Sequence, residues 1–336
     1  MQVVIVYNLD STTDFGDSQD LVAIQDTIHT ANSILDALIQ CGYDAHAVSV
    51  SNSLDEVKQK LSPYDPQHTF IFHNCDGFLG RSLGAVDLVR AIEQLGFAHT
   101  ASHPEAILAS TDKREAKRLL TRAKLPTPAY QICESVNAVI DIPCPVIVKP
   151  ATEEASLGIS VDSVARTPEA IPGLIQRILT DYHQPALVEQ FISGRELACA
   201  VLGNGDEAVV LPLSEMDYSE IPDPMARLLT YESKWMEGTF YHDNIGVLCP
   251  ALMEKDELKD LEKVVLQAGK ALQLRDFYRL DIRLENGIPY VLDVNDLPDL
   301  APESGFARSA LAAGYTYSGM IDAIVKIAMK REGWNG

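Results

Sequence analysis

Two short runs of alternating apolar and polar residues, joined by Asn286-Gly287, constrain the fold of this chain more than any other feature. The runs are YRLDIRLE before the joint and IPYVLDVN after it, and they open the stretch of residues 278–304. Alternation on both sides of an Asn-Gly pair is typical of a β-hairpin, because this pair accepts the positive φ angles of a tight turn. We therefore expect two antiparallel strands whose side chains alternate between two faces.

The register of this hairpin decides which side chains lie opposite one another. A plain two-residue turn would pair Asp281 with Leu292 and set an acidic residue against an apolar one. One extra residue, in a glycine bulge at Gly287, would bring Asp281 level with Asp293 and bury both apolar rows together. We therefore expect the bulge, and with it one acidic face that carries Asp281, Asp293 and Asn295.

The acidic face, with Arg279 beside it, is a candidate metal site. Carboxylate and amide oxygens are ligands that suit a hard divalent cation such as Mg²⁺. A polar sheet face that is simply open to solvent is the alternative that the hairpin alone leaves open.

Composition narrows the class of partner. The 27 basic and 48 acidic residues give a net charge of −21, which disfavours nucleic acid or an anionic membrane as a partner. A small anionic ligand is still allowed, since local basic groups and Mg²⁺ can reverse the field. The six cysteines form no CxxC pair, which indicates reduced thiols and a cytoplasmic protein. We expect no signal peptide, because Met1 leads directly into QVVIVY, and no membrane span.

A length of 336 residues allows two or three domains, and the pattern of strands and helices favours three. Residues 1–110 alternate strands with helices, which predicts a parallel α/β sheet. Residues 111–185 begin with a helix capped by Thr111 or Asp112, and they include the strand PVIVKP and a further strand, GISVDSV, at 158–164. Residues 186–336 contain antiparallel-looking strands, a polar loop at 230–244, the hairpin and two amphipathic helices. The predicted fold class is α/β, with α+β character in the C-terminal part.

Five motifs in order, namely STDK, PVIVKP, LVEQFISGRE, YESKW and the hairpin, resemble those of the D-alanine–D-alanine ligase family of the ATP-grasp superfamily. The resemblance covers roughly residues 70–327. It implies an ATP-grasp fold of three domains, with ATP between the central and C-terminal domains. It also implies phosphorylation of a carboxylate by ATP, attack of an amine on the acyl phosphate, Mg²⁺ with two ions expected, and a homodimer through the N-terminal domain.

The resemblance assigns the phosphate-binding residues first. Lys113 and Lys149 match lysines that contact the nucleotide phosphates, and Lys234 matches a lysine of a mobile loop that closes over the γ-phosphate. A lysine that ends an apolar strand, as Lys149 does, is already unusual, because burial of a lone ammonium group is costly and a phosphate partner would offset it. The family has a glycine- and serine-rich loop after the strand lysine, and Ser156 and Gly158 keep that pattern here. The backbone N–H donors of this loop would bind phosphate.

The rest of the site follows from the same resemblance. Arg279 matches an arginine that stabilises charge on the attacked carbonyl, and Ser304 matches a serine that binds the carboxylate of the second substrate. Adenine would be recognised by the segment of Glu189, Gln190, Phe191 and Ile192, and the ribose would be bound by Glu196. The Mg²⁺ ligands would be Asp281, Asp293 and Asn295.

Departures from the family pattern fall mainly on the amino-acid side of the site. They are Ala155 for a serine, Trp235 for a tyrosine, Asp299 for a glycine, Gly305 for a bulky apolar residue and, at the metal, Asp293 for a glutamate. The glutamate that holds the first substrate's ammonium has no aligned counterpart, although Asp14, Asp17 or Asp20 could replace it. Since losing several hydrogen-bonding groups changes specificity strongly, we expect the ATP chemistry to be kept while the substrates differ.

Three functions are compatible with this pattern. The first is an ATP-dependent ligase of specialised metabolism that couples a non-standard donor to an amino acid, as in mycosporine-like amino acid assembly. The second is a D-alanine–D-alanine ligase of peptidoglycan synthesis, and the third is an ATP-binding protein without catalysis.

Overall fold

The computed structural model describes residues 1–9, 27–51, 53–153 and 156–334, and of Trp235 only the backbone. The candidate ammonium ligands Asp14, Asp17 and Asp20 therefore lie outside the described residues, as do Ala155 and the side chain of Trp235. Three β-sheets, described below in chain order, organise the rest.

The first sheet is parallel, as the alternation of strands and helices predicts, with the strand order β2-β1-β3-β4. Its strands are β1 (Gln2–Asn8), β2 (Asp44–Val50), β3 (Thr69–Asn74) and β4 (Ala98–His99). Its helices are α1 (Thr27–Gln40), α2 (Leu54–Leu61) and α3 (Gly84–Gln94). Alternate residues of β1 pack into two separate apolar clusters, one containing α1 and the other α2 and α3, so helices cover both faces.

The second sheet is antiparallel, with the order β5-β8-β6-β7. It follows α4 (Pro104–Thr111) and α5 (Lys113–Arg122), and Asp112 caps α5 by accepting from the backbone N–H of Arg114. Its strands and covering helix are β5 (Tyr130–Cys133), β6 (Val146–Pro150), β7 (Val164–Ala165), α6 (Ile171–Asp181) and β8 (Ala186–Gln190).

The expected strand over residues 158–164 is instead a short 3-10 turn, Val161–Ser163, followed by β7. The backbone N–H of Ser160 donates to Ser163 Oγ at 3.0 Å. Such local bonds give the backbone an alternative to a strand ladder.

The third sheet is antiparallel, in the order β12-β11-β9-β13-β14, with β10 also paired to β9. Its strands are β9 (Arg195–Leu202), β10 (Val209–Val210), β11 (Ser214–Asp217), β12 (Gly246–Leu248), β13 (Phe277–Glu285) and β14 (Ile288–Asn295). The remaining helices are α7 (Tyr231–Trp235), α8 (Phe240–Asn244), α9 (Lys255–Ala271), α10 (Gly305–Ala312) and α11 (Tyr317–Glu332). Helices α7 and α8 occupy most of the expected polar loop, and a threonine caps each of them.

The hairpin β13–β14 aligns Asp281 with Asp293 as expected, but the glycine bulge was wrong. The turn is a plain two-residue one, with φ of 52° at Asn286 and 75° at Gly287, and a primed turn of this kind matches the twist of the strands. The extra residue is Leu292, because Ile282 pairs with Val291 while Asp281 pairs with Asp293. The bulge keeps Val291 buried and turns Leu292 toward the acidic face.

Strand pairing bears on the boundary between the second and third predicted domains. Strand β8 pairs with β5 and β6 of the second sheet, which favours a boundary after Gln190 rather than before Ala186. Ala116 and Leu120 of α5 pack in the same apolar cluster as residues of the third sheet. Helix α5 therefore packs against the third sheet, although the predicted boundaries place it in the second domain. The division into 1–110, 111–185 and 186–336 stays a prediction.

Among the helices of the described residues, none has the length and apolar character needed to cross a membrane.

His73 on β3 gives the first sheet a predicted acid sensitivity. Its side chain is buried, and within the described residues its ring nitrogens have no hydrogen-bond partner. Burial, with a smaller contribution from His99, lowers the pKa of His73 from 6.5 to about 3. Below pH 6.5 the unfolded chain therefore binds a proton that the folded chain refuses, and stability falls as pH drops from 6.5 toward 3.

We expect wild type to lose about 2–3 kcal/mol of unfolding free energy between pH 6.5 and 4.5 relative to His73→Leu, since one pKa unit corresponds to about 1.4 kcal/mol. Urea unfolding at several pH values measures this difference. Parallel pH profiles for the two proteins would contradict it.

Candidate active site

A cleft lies between the second and third sheets. Most of the predicted site residues line it, namely Lys149, Ser156, Glu189, Gln190, Phe191, Ile192, Glu196, Lys234, Asp281 and Asp293. A second groove lies between residues 138–144 and α6 and contains none of them. The cleft between the sheets is therefore the candidate site.

Two carboxylates face each other across the hairpin, and each is paired with a cation. Arg279 donates to Asp281 through Nε at 2.8 Å and through Nη2 at 3.1 Å. Lys113 Nζ lies 3.2 Å from Asp293 Oδ2. Burial alone would raise the pKa of Asp293, but Lys113 and Lys149 outweigh it and lower that pKa. The two lysines therefore favour the ionised form of Asp293, which suits a carboxylate that binds a metal ion.

Asn295 ends β14 opposite Arg279, and its Oδ1 accepts from the backbone N–H of Leu297 at 3.0 Å. With Asp281 and Asp293 it provides only oxygen donors, which fits Mg²⁺. In the described ranges, no group of three or more His, Cys, Asp or Glu side chains could hold a metal ion. Substrate oxygens or water would therefore complete the coordination, which is usual for Mg²⁺.

Glu189 connects two buried lysines beneath the cleft. Its carboxylate pairs with Lys117 and lies 2.9 Å from Lys149 Nζ, and all three residues are at most 5% exposed. Burial on its own would lower the pKa of Lys149, but Glu189 and Asp293 outweigh it, so this pKa is raised. Lys149 is thus a fixed cation at the cleft. The side chain of Glu189 is held by lysines, so only its backbone is left for a nucleobase.

Lys117 is a component of this network that the sequence analysis missed. It donates to Thr127 Oγ1 at 2.7 Å and to the carbonyl of Val291, next to the bulge, at 3.1 Å. Burial lowers the pKa of Lys117 to about 8. The sequence does contain an indication of this role. Lys113 and Lys117 are four residues apart on the buried face of α5, and a buried lysine requires a partner.

A second buried ion pair joins Arg283 of β13 to Glu196 of β9, at 2.5 Å between Nη2 and Oε2. The hydroxyl of Tyr218 donates to the same oxygen at 2.6 Å. The family motifs mark Glu196 but not its partners, because strand alternation only places Arg283 on the polar face of β13 and assigns it no role.

Ser156 and Lys234, which were predicted to bind phosphate groups, both lie at the cleft. Ser156 has a φ of 63°, and its hydroxyl donates to the carbonyl of Leu229 at 3.3 Å. Lys234 of α7 lines the cleft, and burial and Arg279 lower its pKa.

Ser304 is buried at the N-terminus of α10, where its Oγ accepts from the backbone N–H of Ala307 at 3.2 Å, and it does not line the cleft. Asp299 accepts from Thr30 of α1 at 3.0 Å and from the N–H of Ala301 at 2.8 Å. Asp299 thus ties the first sheet's helix to the loop that carries Ser304.

The comparisons with known proteins agree with this geometry. A family model described as the D-ala D-ala ligase C-terminus matches residues 118–326. An uncharacterised Sinorhizobium fredii protein, y4sG, is 31% identical, with 91% of this chain and 89% of that protein covered. A D-alanine–D-alanine ligase of Polaromonas naphthalenivorans is 30% identical, with 90% of this chain and 89% of that enzyme covered.

Among solved structures, the D-alanine–D-alanine ligase of Bacillus anthracis complexed with ATP superimposes with a TM-score of 0.75 at 20% identity, over 100% of this chain and 99% of that one. This likeness confirms the predicted α/β, ATP-grasp fold. The family model and the Polaromonas naphthalenivorans enzyme show more than the fold, because they establish that the chain belongs to the D-alanine–D-alanine ligase family.

Proposed function

We propose that the chain is an ATP-dependent ligase that phosphorylates a donor with release of ADP and then couples it to the amine of an amino acid, forming a C–N bond as phosphate leaves. The observation that carries this proposal is the floor of the cleft, where Lys113 and Lys149 flank Asp293 and Arg279 holds Asp281. Alternating fixed cations and ionised carboxylates suit a metal-bound polyphosphate, because both signs of charge then find partners.

The cleft offers a complementary surface for each part of ATP. Phe191, Leu228 and Leu292 form an apolar part for the base, and Glu196 provides a carboxylate for the ribose. Lys149 and Lys113 would bind phosphate oxygens. Lys234, on the short helix α7 beside the cleft, would approach the terminal phosphate and help to exclude water.

Asp281, Asp293 and Asn295 would hold Mg²⁺, with two ions expected. When bound, the metal neutralises charge that develops on phosphate oxygens. Arg279 would stabilise negative charge on the attacked carbonyl of the donor, and Asp281 keeps its guanidinium in place through two hydrogen bonds.

The donor is proposed to be non-standard, and a cyclohexenone-type molecule, as in mycosporine-like amino acid assembly, is one concrete case. Two departures from the family pattern support this candidate, namely Asp299 in place of a glycine and Gly305 in place of a bulky apolar residue. Asp299 places an acidic side chain in the loop that precedes Ser304. Ligation of two D-alanines is the second candidate, favoured by the names of relatives such as the Polaromonas naphthalenivorans enzyme. A cytoplasmic homodimer is part of the same proposal.

Release of ADP and phosphate tests the proposal. Purified protein with Mg²⁺ and ATP is given D-alanine alone, and then a panel of L-amino acids with candidate donors. We expect turnover only when a donor and an amine are both present. Turnover with D-alanine alone would establish the second candidate instead, and ATP binding without turnover on the whole panel would indicate a protein that binds ATP without catalysis.

Ser304→Ala tests the amino-acid end of the site. The hydroxyl of Ser304 accepts from Ala307, so its hydrogen stays available for a substrate carboxylate. Loss of the cap should cost about 1 kcal/mol of stability, and loss of the substrate contact should raise the KM for the amino acid about tenfold.

Thr316→Ala is the matched control, because Thr316 caps α11 in the same way through the N–H of Gly319. It should show the stability loss with an unchanged KM. Equal KM values for the two variants would remove Ser304 from the substrate site.

A further inference from the structure

We propose that Arg283 is a positioning residue that holds Glu196 and the connection between the second and third sheets, and so sets how strongly the protein selects a nucleotide for its ribose hydroxyls. This inference rests on the proposed nucleotide site. It assigns a role to a side chain that neither the fold prediction nor the family resemblance singles out.

Arg283 is 2% exposed and lies at the end of the cleft that also contains Phe191 and Glu196. Its guanidinium carbon lies over two aromatic rings, 5.7 Å from the centroid of Phe191 and 5.6 Å from that of Tyr218. Contacts of this kind fix the plane of a guanidinium group.

Both protein contacts of the Glu196 carboxylate fall on one oxygen. Oε2 accepts from Arg283 Nη2 and from the hydroxyl of Tyr218. Oε1 has no hydrogen-bond partner among the described residues, although Glu196 is only 8% exposed. A carboxylate that is held in one orientation and left with one acceptor oxygen at the cleft suits the hydroxyl donors of a ribose.

Arg283 also holds the chain that joins the two sheets. Residues 191–194 connect β8 to β9, and Arg283 Nη1 donates to the carbonyl of Gly194 at 2.9 Å. Gly194 lies so close to β13 that a Cβ there would be 2.1 Å from the carbonyl oxygen of Leu284. Arg283 Nη2 further donates to the carbonyl of Arg227, next to Leu228 of the cleft wall.

These contacts require a planar group with several donors, which a lysine does not provide. Arg283→Lys therefore keeps the positive charge but loses the planar group with its several N–H donors. Tyr218→Phe keeps the aromatic ring but loses one hydrogen bond to Glu196. Arg283→Met removes the cation and leaves Glu196 buried without its ion-pair partner.

The experiment compares the Kd of Mg–ATP with that of Mg–2′,3′-dideoxy-ATP by isothermal titration calorimetry. Wild type should bind the dideoxy nucleotide about 10- to 100-fold more weakly, the range expected for hydrogen bonds to a charged group. Arg283→Met should reduce this ratio to within about threefold of unity, and Tyr218→Phe and Arg283→Lys to intermediate values. A role in stability alone would lower the melting temperature without changing the ratio.

Arg195→Met is the matched control. Arg195 precedes Glu196 but pairs with Glu215 at 2.6 Å and approaches Glu257 of α9, on the other face of the sheet. It should keep the wild-type ratio.

An unchanged ratio in Tyr218→Phe and Arg283→Lys would overturn the inference, even if Arg283→Met does not fold. Wild type that binds Mg–ATP without discriminating against the dideoxy nucleotide would overturn the inference and leave the nucleotide site standing. Wild type that binds neither nucleotide would overturn the proposed function itself.

Discussion

Asp281→Asn should lower kcat by about a thousandfold or more, which corresponds to several kcal/mol of lost transition-state stabilisation. The substitution keeps the shape of the side chain and removes one negative charge. It weakens a proposed metal ligand, and it also releases Arg279, which donates two hydrogen bonds to this carboxylate. Both losses affect the same reacting centre, so we expect one large effect rather than two small ones.

Glu215→Gln is the matched control for this result. Glu215 accepts two hydrogen bonds from Arg195 on the same sheet, at 2.7 and 2.6 Å, but does not line the cleft. Its kcat should stay within about twofold of wild type, because this ion pair lies outside the cleft. Steady-state kinetics at saturating ATP and Mg²⁺ compare the two variants, and similar kcat values would remove Asp281 from the catalytic site.

Lys117→Met should cause the largest loss of stability, about 3–5 kcal/mol, because it breaks a buried ion pair and leaves a carboxylate with less compensation. Lys117 and Glu189 are each 1% exposed in this pair. The lost ammonium group also bonds to the carbonyl of Val291, beside the bulge that orients Asp293. We therefore expect weaker binding of Mg–ATP as well as easier unfolding by urea.

Lys326→Met provides the comparison, since Lys326 pairs with Asp322 at 2.6 Å while its side chain is 67% exposed. An exposed pair of this kind should contribute less than about 1 kcal/mol. If Lys117→Met unfolds at the same urea concentration as Lys326→Met, the buried network does not support the fold in the way we describe.

The sequence predicted the parts of the fold that depend on local patterns. The hairpin, its Asp281–Asp293 alignment, the parallel first sheet and the cap at Asp112 all follow from alternation, turn chemistry and capping. The location of the bulge did not follow. It depends on Val291, whose backbone N–H donates to the carbonyl of Pro126, a contact distant in sequence that alternation does not encode.

The sequence identifies candidate site residues that belong to a motif. It does not identify residues that join the site only through packing. Lys149 and Asp293 stand at strand ends in a recognisable pattern, and the structure brings both to the cleft. Lys117, which pairs with Glu189, and Tyr218, which donates to Glu196, were missed because neither belongs to one of the motifs. The described residues that line the cleft do not include Lys113, Arg279, Asn295 or Ser304, and the roles of all the site residues stay predictions.

A crystal structure with Mg²⁺ and a nonhydrolysable ATP analogue tests the central claim most directly. The account predicts the base beside Phe191 and Leu292, the phosphates on Lys149, and metal between them and the carboxylates of Asp281 and Asp293. A nucleotide bound elsewhere, with no metal ion at Asp281 and Asp293, would contradict it.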